Sequence, residues 1–171
     1  MQNDQRSPAA LPPSIEPAGF FSGVKIVPII AGIVVDIVAT YVLAGAYLFY
    51  VVAEKAAEKG GFSEEAAAEF WATQEGLIAS LVIGALGTAI GGYYAARRAG
   101  QLEIKHGALV GVGSILVGAL MQLAGFDQSD LPQWYSTLAY LAAIPAGALG
   151  GYAAEGLKSF YPPGEGTGGG A

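Results

Sequence analysis

Residues 26–52 read IVPIIAGIVVDIVATYVLAGAYLFYVV, a run in which Asp36 is the one charged side chain. A helix of this length spans about 40 Å at about 1.5 Å per residue, more than the roughly 30 Å of a bilayer's hydrocarbon core. It can therefore cross a membrane with length to spare for tilt. Three further apolar stretches follow, at about 77–96, 107–126 and 135–154. Each is long enough to span, and none shows strand-like alternation. In lipid no water satisfies backbone N–H and C=O groups, so a spanning chain is either helical or a closed barrel. The expected fold is all-α, a four-helix transmembrane bundle over residues 20–160.

Composition agrees. Of 171 residues, 53% are hydrophobic and only 13% charged, whereas a soluble domain carries about a quarter charged residues. A large buried core cannot absorb the deficit, because a chain this short still exposes about a third of its unfolded surface. With no cysteine and one histidine, a disulfide scaffold, a thiolate metal site and an acylated cysteine are excluded and a zinc site is disfavoured. No metal and no cofactor is expected. Residues 1–19 hold four of the nine prolines and 161–171 are rich in glycine. Both are expected to be disordered cytoplasmic tails. The first apolar run is too long for a cleaved signal and reads as a retained anchor.

The basic residues orient the bundle. Arg6, Lys25, Arg97, Arg98, Lys105 and Lys158 fall on one side, Lys55 and Lys59 on the other. By the positive-inside rule both termini are expected in the cytoplasm. The opposite side collects Glu54, Glu58, Glu64, Glu65, Glu69, Glu75, Asp127 and Asp130, which predicts a negative outer face. Aromatics mark two interfaces, Tyr47, Tyr50, Phe70, Trp71, Trp134 and Tyr135 outside and Phe20, Phe21, Tyr93, Tyr94, Tyr152 and Phe160 inside. In the outer loop Gly60-Gly61 breaks the first helix. Ser63 is the expected N-cap of a short helix from about Glu64, with Glu64 and Glu65 placed favourably in its first turn.

Arg97, Arg98 and Lys105 cluster with His106 around one short inner loop. The three cations suit anionic lipid headgroups, at about 1 kcal/mol each near the surface. The loop is too small to read nucleic acid, so none is expected as a partner.

A weak internal repeat is visible. Lys25 is followed by Leu43-Ala44-Gly45, and Lys105, at the same spacing, by Leu123-Ala124-Gly125. Ile90-Gly91-Gly92-Tyr93 is matched by Leu149-Gly150-Gly151-Tyr152. Read as a duplication, the fold is a parallel pair of two-helix hairpins; chance alignment of Gly- and Ala-rich sequence is the other reading. Mostly small residues also recur at steps of three and four: Ser80, Gly84, Thr88, Gly91 and Ala95; Gly107, Gly111, Ser114, Gly118, Gln122 and Gly125; Ser136, Tyr140, Ala143, Gly147, Gly150 and Ala154. Such stripes line one helix face. Helices in lipid associate through close backbone packing across small residues and a few hydrogen bonds. Gly84, Gly91, Gly111, Gly118, Gly147 and Gly150 are the expected packing positions.

Asp36 lies eleven positions beyond Lys25, about 16 Å into the membrane. A carboxyl there must face the interior, be paired, or be protonated. Thr40 continues the same helix face. Pro145, at a similar depth in the last span, frees the carbonyl of Leu141, which meets Asp36 only if the first and last spans are neighbours. Gln122 is expected to face inward and bond across helices. Asp36, Thr40, Gln122 and Pro145 therefore form the candidate intramembrane polar site, read either as a proton or cation relay or as hydrogen bonding that holds helix register. No catalytic residue is expected: the histidine is not beside Ser114, and aspartyl chemistry needs a second intramembrane acid.

Gly91-Gly92-Tyr93-Tyr94-Ala95-Ala96-Arg97-Arg98, followed after a short loop by His106-Gly107-Ala108-Leu109-Val110-Gly111, resembles a helix–loop–helix pattern of uncharacterised small four-helix bacterial inner-membrane proteins. In that pattern a Gly-Gly-x-x-Ala-x-Arg helix end leads into a His-Gly-x-x-x-Gly helix start. The resemblance covers residues 91–111 and the four-span layout. It implies a bacterial inner-membrane location and carries no activity. The expected function is non-enzymatic: a structural, accessory or partner-binding membrane subunit packed through small-residue seams. Its partners would be the lipid bilayer and a second copy of the chain or another membrane protein. The alternative is a small conduit for protons, cations or a solute that uses Asp36.

Overall fold

The computed structural model describes residues 19, 21–59, 63–125 and 131–160, with 52–59, 159 and 160 described by backbone only. The tails, Arg6, Phe20, the Gly60-Gly61 break, Asp127 and Asp130 lie outside the described residues. So do the side chains of Glu54, Lys55, Glu58, Lys59 and Phe160.

Five helices form: α1 (Ile26–Lys59), α2 (Glu64–Ala72), α3 (Gln74–Ala99), α4 (Glu103–Leu123) and α5 (Gln133–Phe160), with no strand among the described residues. All but α2 are long and apolar enough to cross a membrane. The protein is an all-α, four-helix membrane bundle. The face that α1 turns outward carries Val27, Ile30, Val34, Val38, Tyr41, Val42 and Phe49, all exposed. Soluble monomers rarely leave so continuous an apolar surface bare, and lipid tails cover it here at no cost.

The helices outrun the apolar stretches because hydropathy marks only the part that must sit in lipid. Arg97 and Arg98 occupy the last turn of α3, where cations complement the helix dipole. Gly100 then ends the helix in the left-handed conformation, φ 72°, its N–H returning to the carbonyl of Ala96. The loop between α3 and α4 therefore shrinks to residues 100–102. Arg97, Arg98, Lys105 and His106, expected around a loop, all stand on helices. At its far end α4 stops at Leu123, three residues before the apolar run ends, and Gly125 supplies a positive φ of 74° just past it.

Ser63 caps α2 as expected, its Oγ accepting the N–H of Ala66 at 3.2 Å. The short helix does not run on into α3. Thr73 closes α2 through its N–H to Phe70 O and opens α3 by accepting the N–H of Gly76 at 3.1 Å. One residue thus makes the corner. Phe70 and Trp71 pack there against Tyr47 of α1, each ring centroid 6.1 Å from the tyrosine. Ser63→Ala should cost about 1 kcal/mol, the usual worth of such a cap. The loss should read out as faster amide exchange in α2 alone; faster exchange spread through α3 would contradict a purely local role.

Four helices make a rhombus in cross-section. α3 packs on α1, α4 and α5; α4 also packs on α1 and α5; α1 and α5 do not form a packed pair. The condition under which Leu141 would meet Asp36 is therefore not met, and Pro145 is exposed within an unbroken α5. Gln122 is exposed rather than inward, close to the end of α4.

Close packing is concentrated at the end that carries Arg97, Arg98, Lys105 and Lys158, called here the basic end. A Cβ on Gly92 or Gly107 would overlap the carbonyl oxygen of Gly147, and one on Gly147 would overlap that of Gly107. Gly111 meets Ala143, Gly150 meets Ala89, and Gly91 meets Gly32 in the same intimate way. Gly84 and Gly118, expected in the same seam, have nothing within 4 Å of a Cβ position. They lie toward the acidic end and line a cavity between the helices.

The repeated motifs do not hold equivalent positions. Gly45 sits within α1, whereas Gly125 lies past the end of α4. Matching Lys25 with Lys105 would set Gly150 against Val112, the counterpart of Gly32; Gly150 turns to Ala89 of α3 instead.

Candidate intramembrane site

Asp36 is 5% exposed, held where α1 meets α3 and α4. Two glycines of α3 make the approach possible, since a Cβ on Gly87 or Gly91 would strike Asp36 itself or its neighbours Thr40 and Gly32. Three hydroxyls then converge on the carboxyl. Thr40 Oγ1, one turn along α1, is 3.3 Å from Oδ1; Thr88 Oγ1 of α3 is 3.3 Å from Oδ1 and 3.2 Å from Oδ2. Ser114 Oγ of α4 donates to Oδ2.

Thr88 and Ser114 are functional candidates that reading the sequence missed. Both stand on small-residue stripes, where spacing alone marks packing, and for Ser114 the sequence offers besides this only a catalytic serine with no histidine beside it. A depth count would have found them: Thr88 is eleven residues from Ala99 at the basic end of α3, and Ser114 eleven from Glu103 at the basic end of α4. Asp36 is eleven from Lys25, so the three share one level in the membrane.

From that level a cavity of about 500 Å³ extends toward the acidic end, bounded by α1, α3, α4 and α5. Among the described residues Asp36 is the one charged side chain lining it, beside Thr40, Thr88, Ser114, Ser80, Tyr41, Tyr135 and Tyr140. Ser80 Oγ and the Tyr135 hydroxyl are 3.0 Å apart farther up. Gly84 and Gly118 line the same space, which explains why nothing packs on them. Toward the basic end the space closes. Ala95, Ala96, Val110 and Ala154 have no exposure, and the glycine contacts fill what is left. Of the four residues expected to share a polar site, Asp36 and Thr40 come together, while Gln122 and Pro145 do not join them.

The basic end is itself built from polar contacts. His106, expected near the membrane surface, is completely buried. Its Nε2 accepts the backbone N–H of Lys25 at 2.9 Å, and its Nδ1 lies 3.0 Å from the carbonyl oxygen of Leu102. That pairing requires the neutral ring with its proton on Nδ1. Lys25 Nζ donates to Ala99 O and Lys158 Nζ to Gly100 O, both at 2.8 Å, so two ammonium groups cap the carbonyl end of α3. Lys158 also pairs with Glu103, which is buried. Of the three cations expected to meet lipid headgroups, Arg97 and Arg98 are exposed, and Lys105 is half-buried. Among the described residues no group of histidine and acidic side chains could hold a metal ion.

A family model described as "Protein of unknown function (DUF3792)" matches residues 67–154. The match runs from α2 through most of α5 and contains residues 91–111. No curated protein and no solved structure matches the chain.

Proposed function

This chain belongs to the DUF3792 family, and we propose that it acts as a small membrane protein that takes a proton or small cation to Asp36 from one face of the bilayer. The observation that carries this reading is the cavity, whose lining runs from the buried Asp36 carboxyl toward the acidic end and includes no residue on the basic side of it. Buried ionisable groups inside membranes are costly, and they mark ion pathways and proton relays when water can reach them. The distribution of lysine and arginine supports a bacterial inner-membrane orientation with both termini in the cytoplasm, so that the cavity extends toward the outer face. The reading is non-enzymatic, supported by an inventory that offers Asp36 no second acid and commits the one histidine to two structural hydrogen bonds.

The test is one-sided uptake in liposomes holding the full chain. A step in pH, or in sodium or potassium concentration, on the side of the acidic end should be followed by uptake of the ion without collapse of the gradient, and Asp36→Asn should abolish the uptake. Equal uptake in wild type and variant, or no uptake above that of bare lipid, would remove the proposal. A second reading, a partner-binding subunit, draws on Gly45 and Gly118, which are exposed and touch nothing. Small residues of this kind are what another helix, from a second copy or a different membrane protein, would use. Cross-linking at those two positions tests it.

A further inference from the structure

The hydroxyls around Asp36 have more acceptors than protons. Ser114 Oγ lies within reach of both Asp36 and the carbonyl of Val110, 3.0 Å away. Thr88 Oγ1 lies within reach of both Asp36 and the carbonyl of Gly84, also at 3.0 Å. Each hydroxyl has one hydrogen to give. We infer that Asp36 is a reversible proton-binding site whose charged and neutral forms are both fully hydrogen-bonded, through rotation of the Ser114 and Thr88 hydroxyls alone. The inference rests on the reading that the cavity serves Asp36, and it names the ligand as a proton rather than a metal cation.

In the charged form Thr40, Thr88 and Ser114 all donate to the carboxylate. A proton arriving from water in the cavity binds Oδ2. The new O–H then donates to Ser114 Oγ, Ser114 turns its hydrogen to Val110 O, and Thr88 turns its hydrogen to Gly84 O. Thr40 continues to donate to Oδ1. No heavy atom has to move, and no buried polar group loses its partner in either form, which is the condition that makes such networks costly when unmet. A metal cation fits less well. It needs free lone pairs turned toward it, whereas Ser114 is in direct hydrogen-bond contact with Oδ2. The lone pairs that the carbonyls of Gly84 and Val110 keep beyond their helix bonds face the Thr88 and Ser114 hydroxyls, each 3.0 Å away.

The groups facing Asp36 leave it to titrate alone. α1 contributes Thr40 and the Tyr41 phenol, α3 contributes Ser80 and Thr88, α4 contributes Ser114, and α5 contributes the phenols of Tyr135 and Tyr140. None is a second acid or a base charged at neutral pH.

Infrared difference spectroscopy of the full chain in liposomes, stepped from alkaline to acid, tests the inference. Of the carboxylic-acid C=O bands that appear on acidification, one should be absent in Asp36→Asn, the other acids of the chain giving the rest. In Ser114→Ala that band should persist at higher frequency, because the acid loses the acceptor of its hydrogen bond. A set of titrating bands identical in wild type and Asp36→Asn would overturn it. A midpoint of the Asp36 band that moves with sodium or potassium concentration would overturn it too, by showing a metal cation on the carboxylate, while leaving the one-sided uptake proposal standing. Should Asp36→Asn fold poorly, the frequency shift in Ser114→Ala decides the matter, and an unshifted band counts against the network.

Discussion

Gly147→Leu should yield no stable bundle in mild detergent, while Gly118→Leu should be tolerated. Both glycines sit on stripes that look alike in sequence, yet their surroundings differ completely. The carbonyl of Gly147 lies where a Cβ of Gly92 or Gly107 would have to go, and its own Cβ would enter the backbone of Gly107. Three helices meet at that point. Overpacking a core by side-chain atoms costs about 1–3 kcal/mol. Here the obstacle is backbone, which cannot rotate away, so about 3 kcal/mol is a lower figure. The added side chain must push α4 and α5 apart, and the contacts at Gly111 and Gly151 would go with them. Gly118 is exposed and meets nothing within 4 Å, so leucine there only enters the cavity or the lipid. Thermal unfolding followed by size-exclusion chromatography reads both variants. Equal midpoints for the two would refute the claim that the bundle is sealed at one end only.

His106→Ala should be the next most damaging change, at about 2–4 kcal/mol. The ring is wholly buried and ties the start of α1 to the first turn of α4 through Lys25 N–H. Alanine removes two hydrogen bonds, leaves the part-buried N–H of Lys25 without its acceptor and leaves a void where the imidazole stood. The amide of Lys25 should then exchange with solvent much faster, and the unfolding midpoint should fall. An unchanged Lys25 amide would show that the ring merely fills space. His106→Leu separates the two contributions, since it restores volume without an acceptor.

The architecture was legible because it depends on quantities a sequence displays directly. Spans follow from the length and hydropathy of residues 26–52 and their three successors, the corner helix from Ser63 and the acids after it, and the importance of Asp36 from a charge where charge is expensive. What the sequence could not display was which faces meet. Gly84 and Gly91 obey the same spacing, but only Gly91 reaches a neighbouring backbone, because helices that cross at an angle touch over part of their length. Pro145 and Asp36 share a depth, yet α1 and α5 stand at opposite corners. His106 directly follows Lys105 beside a short polar loop and so resembles a surface group; its burial depends on the N-terminal turn before Ile26 folding over it. Thr88 and Ser114 were hidden by their size, since a small hydroxyl residue on a glycine stripe looks like packing until a carboxyl is found at the same height.

Rigidity in this molecule is unequally shared between its two ends. Where backbones interlock, as at Gly92, Gly107 and Gly147, relative sliding of the helices is blocked. Above Asp36 the four spans line open space, bridged by the Ser80–Tyr135 contact between α3 and α5. The bundle should therefore behave like tweezers with a fulcrum near Gly91, an expectation that faster amide exchange above Asp36 than below it would bear out.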